Sequence, residues 1–162
     1  MTEEEREAIV RVLEIIPDER TAIELVESRR WPAGIVCPYC ESERTTRQRS
    51  YQYHQCKDCR RKFTCRTNTI FERSHIPMQK WLLAIFLLEK YERGISSTQL
   101  AKVLGITQKS AWFMLVRLKE VYGLEECVSS GEEEDDDTSI VGGSKDNRVW
   151  DRYFVKRKAK RT

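Results

Sequence analysis

Four of the six cysteines in these 162 residues fall into two tight pairs, Cys37-Pro-Tyr-Cys40 and Cys56-Lys-Asp-Cys59, with 15 residues between them. Two cysteines three apart on a tight turn can direct both sulfurs at one metal ion, and two such knuckles complete a tetrahedron. The spacing therefore predicts one structural Zn2+ held by Cys37, Cys40, Cys56 and Cys59. A closed four-thiolate site leaves no position for a reacting water, so its expected work is to fold the segment. Structural zinc contributes on the order of 10 kcal/mol to a stretch with almost no apolar core. A redox dithiol would need only one pair, set between a strand and a helix. Cys65 and Cys127 fall outside the knuckle spacing and read as small buried or idle side chains, and His54 and His75 read as structural.

Charge is the second feature with chemical content. The net charge of +3 conceals strong segregation: Arg44 to Arg66 holds eight basic residues against the single acid Asp58. Arg60, Arg61 and Lys62 follow the second knuckle directly, which makes them candidates for contact with a polyanion. Residues 132–137 (EEEDDD) are wholly acidic, and Lys145 to Arg161 carries eight basic residues against Asp146 and Asp151. Any one charge run is as readily a solvated face as a binding surface, so position decides the reading.

A third constellation lies in the segment SSTQLAKVLGITQKSAWFML, from Ser96. Ala101 is small where two helices would cross, Gly105 supplies a turn, and Leu104, Ile106, Ala111 and Leu115 fall where a trihelical core needs apolar groups. This is the steric pattern of a helix-turn-helix, although a plain three-helix bundle satisfies it too. In the helix-turn-helix geometry the first residues of the last helix enter the major groove. Gln108 and Lys109 are then the candidates for base edges, Gln suiting adenine and Lys guanine. Ser97, Thr98, Lys102, Arg117 and Lys119 are candidates for phosphate contacts, which position a protein without reading sequence. Trp112 and Phe113 cannot both share one helical face with Ala111, Leu115 and Leu118; at least one should meet the ribbon, a partner or DNA.

The elements that must position these residues follow from periodicity. Residues 2–30 predict two short helices broken at Pro17. From Trp31 to Phe71 the pattern shifts to short aromatic and β-branched pieces, including Tyr51, Tyr53 and Lys62 to Cys65, as a small ribbon of antiparallel strands requires. Pro77 opens a helix that is apolar on nearly every face from Met78 to Tyr91 and stops at Gly94. Helices from Ser97 to Leu104 and from Thr107 to Tyr122 follow, with Ser96 or Ser97 and then Thr107 as N-caps. The expected fold is thus small α+β: a helical lead-in (1–33), a four-cysteine zinc ribbon (34–75), a three-helix helix-turn-helix (76–123), and an acidic linker with a basic tail (124–162) that lacks a core and reads as disordered. The densest apolar run, Trp81 to Leu88, is far short of the roughly 20 residues that a membrane span needs. The opening MTEEER is acidic where a secretory signal is basic. The expected location is cytoplasmic or on the nucleoid, or nuclear in a eukaryote.

Taken in order, RWPAGIVCPYC (Arg30 to Cys40), YHQCKDCRRKFTCRTNTIF (Tyr53 to Phe71), PMQKWLLAIFLL (Pro77 to Leu88) and GISSTQLAKVLGITQKSAWFMLVRLK (Gly94 to Lys119) resemble the N-terminal half of the zinc-ribbon insertion-sequence transposases related to the eukaryotic Merlin elements. The resemblance spans residues 17–122. It implies that ribbon and helix-turn-helix recognise terminal inverted repeats, and that a metal-dependent DDE-type nuclease fold follows. Asp136 aligns with the first catalytic aspartate, but acids stand where a central strand needs apolar residues, and 19 residues follow Gly143. Two-metal phosphoryl chemistry needs several converging carboxylates. The expectation is a truncated transposase that binds double-stranded DNA at element ends and is not itself an enzyme. Its partners are duplex DNA and, as an option, further copies of the chain, with no membrane and no small-molecule substrate. A repressor of transposition or transcription, a component of a transposase completed by another chain, and a protein-docking module remain open.

Overall fold

Pro17 cannot continue a helix, and it separates the first two. The computed structural model describes residues 2–48, 52–90 and 94–122. Among them lie α1 (Glu3–Ile15), α2 (Glu19–Arg30), β1 (Thr45–Gln48), β2 (Tyr53–Cys56), β3 (Lys62–Phe63), α3 (Met78–Lys90), α4 (Ser97–Leu104) and α5 (Gln108–Tyr122). The small α+β architecture expected from the sequence is present. The acidic run, Cys127, Asp136 and the basic tail lie outside the described residues.

The three strands form one antiparallel sheet in the order β1-β2-β3, with Thr45 opposite Cys56 and His54 opposite Phe63. Its private core is minimal: Cys37, Cys56 and Phe63, with Trp31, Ile35 and Cys59 packed against them. A sheet with one buried phenylalanine of its own must lean on other support, and α2 supplies part of it. His54 is 1% exposed, and its Nε2 meets Glu27 Oε1 at 2.8 Å. Arg47 reaches the other Glu27 oxygen at 3.6 Å. Arg30 Nη1 donates to the carbonyls of Thr64 and Cys65 at 3.3 and 2.9 Å. The expectation that His54 is structural agrees with this pairing.

The larger core is helical. Met78, Trp81, Ile85 and Leu88 of α3 are buried with Ala22 and Val26 of α2, Leu100 of α4, and Met114 and Leu118 of α5. Phe71, beyond the last strand β3, packs edge-on against Trp81 at 5.2 Å. Glu19 ties three parts together. Its carboxylate accepts from the backbone N–H groups of Met78 and Gln79 at 2.8 and 3.0 Å, satisfying donors that the first turn of α3 leaves open, and from Arg66 Nη2 at 3.0 Å. Arg66 Nη1 in turn donates to the carbonyls of Ser74 and Ile76, both at 2.8 Å.

The connection between α4 and α5 is tightly specified. Ser96 caps α4 with a reciprocal capping box to Gln99. Gly105 closes it in the left-handed region (φ 60°, ψ 45°), which an L side chain adopts only at a cost. Thr107 then caps α5, its Oγ1 accepting from the Ser110 N–H at 3.2 Å. Among the described residues, no helix is long and apolar enough to cross a membrane.

Candidate metal centre and nucleic-acid interface

The two cysteine pairs lie on turns of matching construction. In the first, the Cys37 N–H donates to the Ser42 carbonyl at 2.9 Å; in the second, the Cys56 N–H donates to the Arg61 carbonyl at 3.0 Å, the same five-residue offset. The residue after each second cysteine, Glu41 and Arg60, has φ of 60°. The N–H two residues beyond each second cysteine also reaches its sulfur: Ser42 to Cys40, and Arg61 to Cys59. Each turn thus folds back so that its sulfurs point inward and its backbone donors point at them.

The four Sγ atoms lie within 4.8 Å of one another, with Cys37 and Cys59 at 3.6 Å and Cys40 and Cys56 at 3.5 Å. Zinc about 2.3 Å from each corner of a sulfur tetrahedron sets the edges near 3.8 Å. The cluster fits one zinc ion with little adjustment. The backbone donors act unequally on the four thiols. Cys56 is drawn down to about 6 by the N–H groups of Cys59 and Asp58, with hydrogen bonds from the Cys40 and Cys59 thiols, against the opposing effect of burial. At Cys40 the Ser42 N–H acts downward, but desolvation and the neighbouring thiols outweigh it and push the group up to about 12. Zinc binding requires all four as thiolates and releases their protons. The cage is braced from outside: Asp58 accepts from Arg44 Nη1 at 2.9 Å and from the Ser42 hydroxyl. Asn68 Nδ2 donates to the Pro38 carbonyl at 3.3 Å.

Cys65 is not in the cluster. It is buried in the helical core near Glu27 and Arg30 of α2, and burial pushes its thiol up to about 12, in keeping with the inert small side chain that the sequence suggested.

The residues expected at a nucleic-acid surface are distributed unevenly. Arg60, Arg61 and Lys62 are exposed, with Arg61 lying over the Tyr39 ring and Lys62 over the Tyr53 ring, at 4.9 and 4.8 Å. Thr98, Lys102, Gln108 and Lys109 are exposed on α4 and the first turn of α5, where Gln108 Nε2 donates to Thr98 Oγ1 at 3.3 Å. Two expected phosphate contacts are turned inward instead. Ser97 is 1% exposed beneath the start of α4. Arg117 is 5% exposed; its Nη1 donates to the carbonyls of Ile70 and Glu72 at 2.6 and 2.7 Å, and its guanidinium lies 4.1 Å above the Phe113 ring. The carbonyls of the segment leaving the ribbon need a donor, and Arg117 provides it. No local sequence signal distinguishes such an arginine from a surface one. Asp136 lies outside the described residues.

Residues 17–62, which include α2, match the transposase zinc-ribbon domain. A Halobacterium salinarum protein of the transposable element ISH50 is 35% identical over 97 residues, which cover 58% of this chain and 32% of that protein. No solved structure matches the chain.

Proposed function

We propose that the chain binds double-stranded DNA at the ends of a transposable element, with the zinc ribbon and a helix-turn-helix made of α3, α4 and α5 as its two recognition modules. The transposase zinc ribbon at residues 17–62 and the transposon origin of the similar protein make a nucleic acid the natural partner. The observation that carries the reading is the first turn of α5, which leaves Gln108 and Lys109 open to solvent after a three-residue connection hinged on Gly105. In this reading Gln108 and Lys109 address base edges, and Thr98, Lys102, Arg60, Arg61 and Lys62 address phosphates. Ser97 and Arg117 do not take part.

In this reading the chain divides into a lead-in (1–33), the ribbon (34–75), the helix-turn-helix (76–123) and a charged tail (124–162), of which residues 17–122 carry the resemblance to the Merlin-related insertion-sequence transposases. Residues 1–162 bind without cutting or joining DNA themselves, since Asp136 is the single carboxylate among them that aligns with a catalytic position. An alternative within the same binding class is a repressor that regulates transposition or transcription by occupying those ends. A second reading is a recognition part completed by another chain; the aligned segment is 32% of the relative's length.

The test is a band-shift on duplexes carrying the terminal inverted repeats that flank the coding sequence, against scrambled duplexes, at graded salt. Preference for the repeats that survives raised salt supports end recognition. Equal affinity for all duplexes removes the specificity claim, since a steep salt slope alone reports phosphates. DNA cleavage by the zinc- and magnesium-supplied chain would overturn the non-catalytic assignment.

A further inference from the structure

Trp112 is 51% exposed and Phe113 39% exposed, although both residue types are on average well buried in globular proteins. Their position is not random. On an α-helix, residues three and four apart stand one above the other, so Trp112 lies directly one turn beyond both Gln108 and Lys109. Trp112 also forms the ridge between two grooves. One, of about 460 Å³, is lined by Ser97, Gln108, Lys109 and Trp112. The other, of about 380 Å³, runs between Lys109, Trp112 and Phe113 on one side and Arg73 to Ile76 on the other. Among the described residues, no acidic side chain lines either groove, while Lys109 lines both and Arg73 lines one of them. Apolar surface framed by cations suits a partner that is anionic at its rim and apolar at its floor.

We infer that Trp112 is a specificity-determining residue, whose indole packs on the 5-methyl group of thymine in the major groove beside the bases addressed by Gln108 and Lys109. This rests on the reading of α5 as the helix that enters the groove. The methyl group of thymine is the one apolar feature that a base pair presents on the major-groove floor, and phosphates supply the anionic rim. Phe113 is held differently, under the Arg117 guanidinium at 4.1 Å, and forms the wall rather than the ridge.

The experiment uses the full zinc-loaded chain. A duplex is selected from a random-sequence pool, and each of its thymines is then replaced singly by deoxyuridine, which removes the methyl and leaves the pairing intact. Affinity should fall roughly 4-fold at one or two positions, the effect of exposing one buried methyl-sized group. Trp112→Ala should lose affinity for the thymine duplex, become indifferent to deoxyuridine at those same positions, and keep the wild-type salt slope, closing a double-substitution cycle. A wild-type chain indifferent to every replacement overturns the inference, as does a Trp112→Ala chain that retains the sensitivity. Trp112→Ala that impairs self-association while leaving both duplexes bound equally well assigns the ridge to a protein contact instead. If no duplex is enriched at all, the reading of α5 fails first and takes this inference with it.

Discussion

Replacing Arg117 separates two accounts of the same residue. From sequence it belongs with the phosphate contacts, yet in the fold its Nη1 serves two carbonyls at 2.6 and 2.7 Å and its plane covers Phe113. Hydrogen bonds from a charged donor contribute about 1.5–3 kcal/mol each, and the cation over the ring about 0.5–1. Against these stands the desolvation of the guanidinium, which removal relieves. Arg117→Ala nonetheless leaves the Ile70 and Glu72 carbonyls without this donor and opens a void over the Phe113 ring, so the net loss is about 3 kcal/mol. With a urea slope near 2 kcal/mol/M for a fold of this size, the unfolding midpoint should drop by about 1.5 M. Urea unfolding of the zinc-loaded chain, followed by circular dichroism, reads this directly. A band-shift salt titration on the folded fraction reads the alternative: the slope of log affinity against log salt should be unchanged for Arg117→Ala, whereas Arg61→Ala or Lys102→Ala should each reduce it by about 0.9. A midpoint within about 0.3 M of wild type, combined with a slope lowered by about one, would refute the reasoning and return Arg117 to the DNA surface.

Two further predictions concern the joints of the fold. Glu19→Gln keeps the shape of the cap on α3 but removes the charge that Met78, Gln79 and Arg66 share; thermal unfolding should show a loss of about 1–2 kcal/mol, or about 4–8 °C, and a change under about 1 °C would show the carboxylate to be dispensable. Cys65 gives a pH signature. Its folded value of about 12 lies above the ordinary 9.0, so the folded state holds the proton more tightly. Its stabilisation is complete below pH 9 and declines by about 1.4 kcal/mol per unit between about 9 and 12. Cys65→Ala should therefore flatten the alkaline fall in stability relative to wild type, and parallel curves would contradict the burial assigned to this thiol.

The legible parts of this molecule are those governed by local rules. Pro17 divided the lead-in, Ser96, Ser97 and Gly105 marked both ends of α4, and the CxxC spacing gathered four sulfurs that the fold brings within 4.8 Å. What escaped depends on distant partners. β1 reads Thr-Thr-Arg-Gln, polar throughout, and becomes a strand because β2 offers it a ladder. Glu19 and Glu27 look like ordinary helix-surface acids; each is used by a group at least 27 residues away, the α3 N-terminus and His54 respectively. Ser97 and Arg117 looked like phosphate contacts because polar residues near a reading helix usually are. Their burial follows from how α4 and α5 close on the core and on the chain leaving the ribbon.

The claim on which the rest stands is that a metal ion, rather than apolar packing, holds the ribbon closed. X-ray absorption at the zinc edge on the purified chain addresses it most directly. One zinc per chain with four sulfur neighbours at about 2.3 Å is the expected result. Absence of stoichiometric zinc, or a coordination shell in which nitrogen or oxygen replaces any of the four sulfurs, would contradict it.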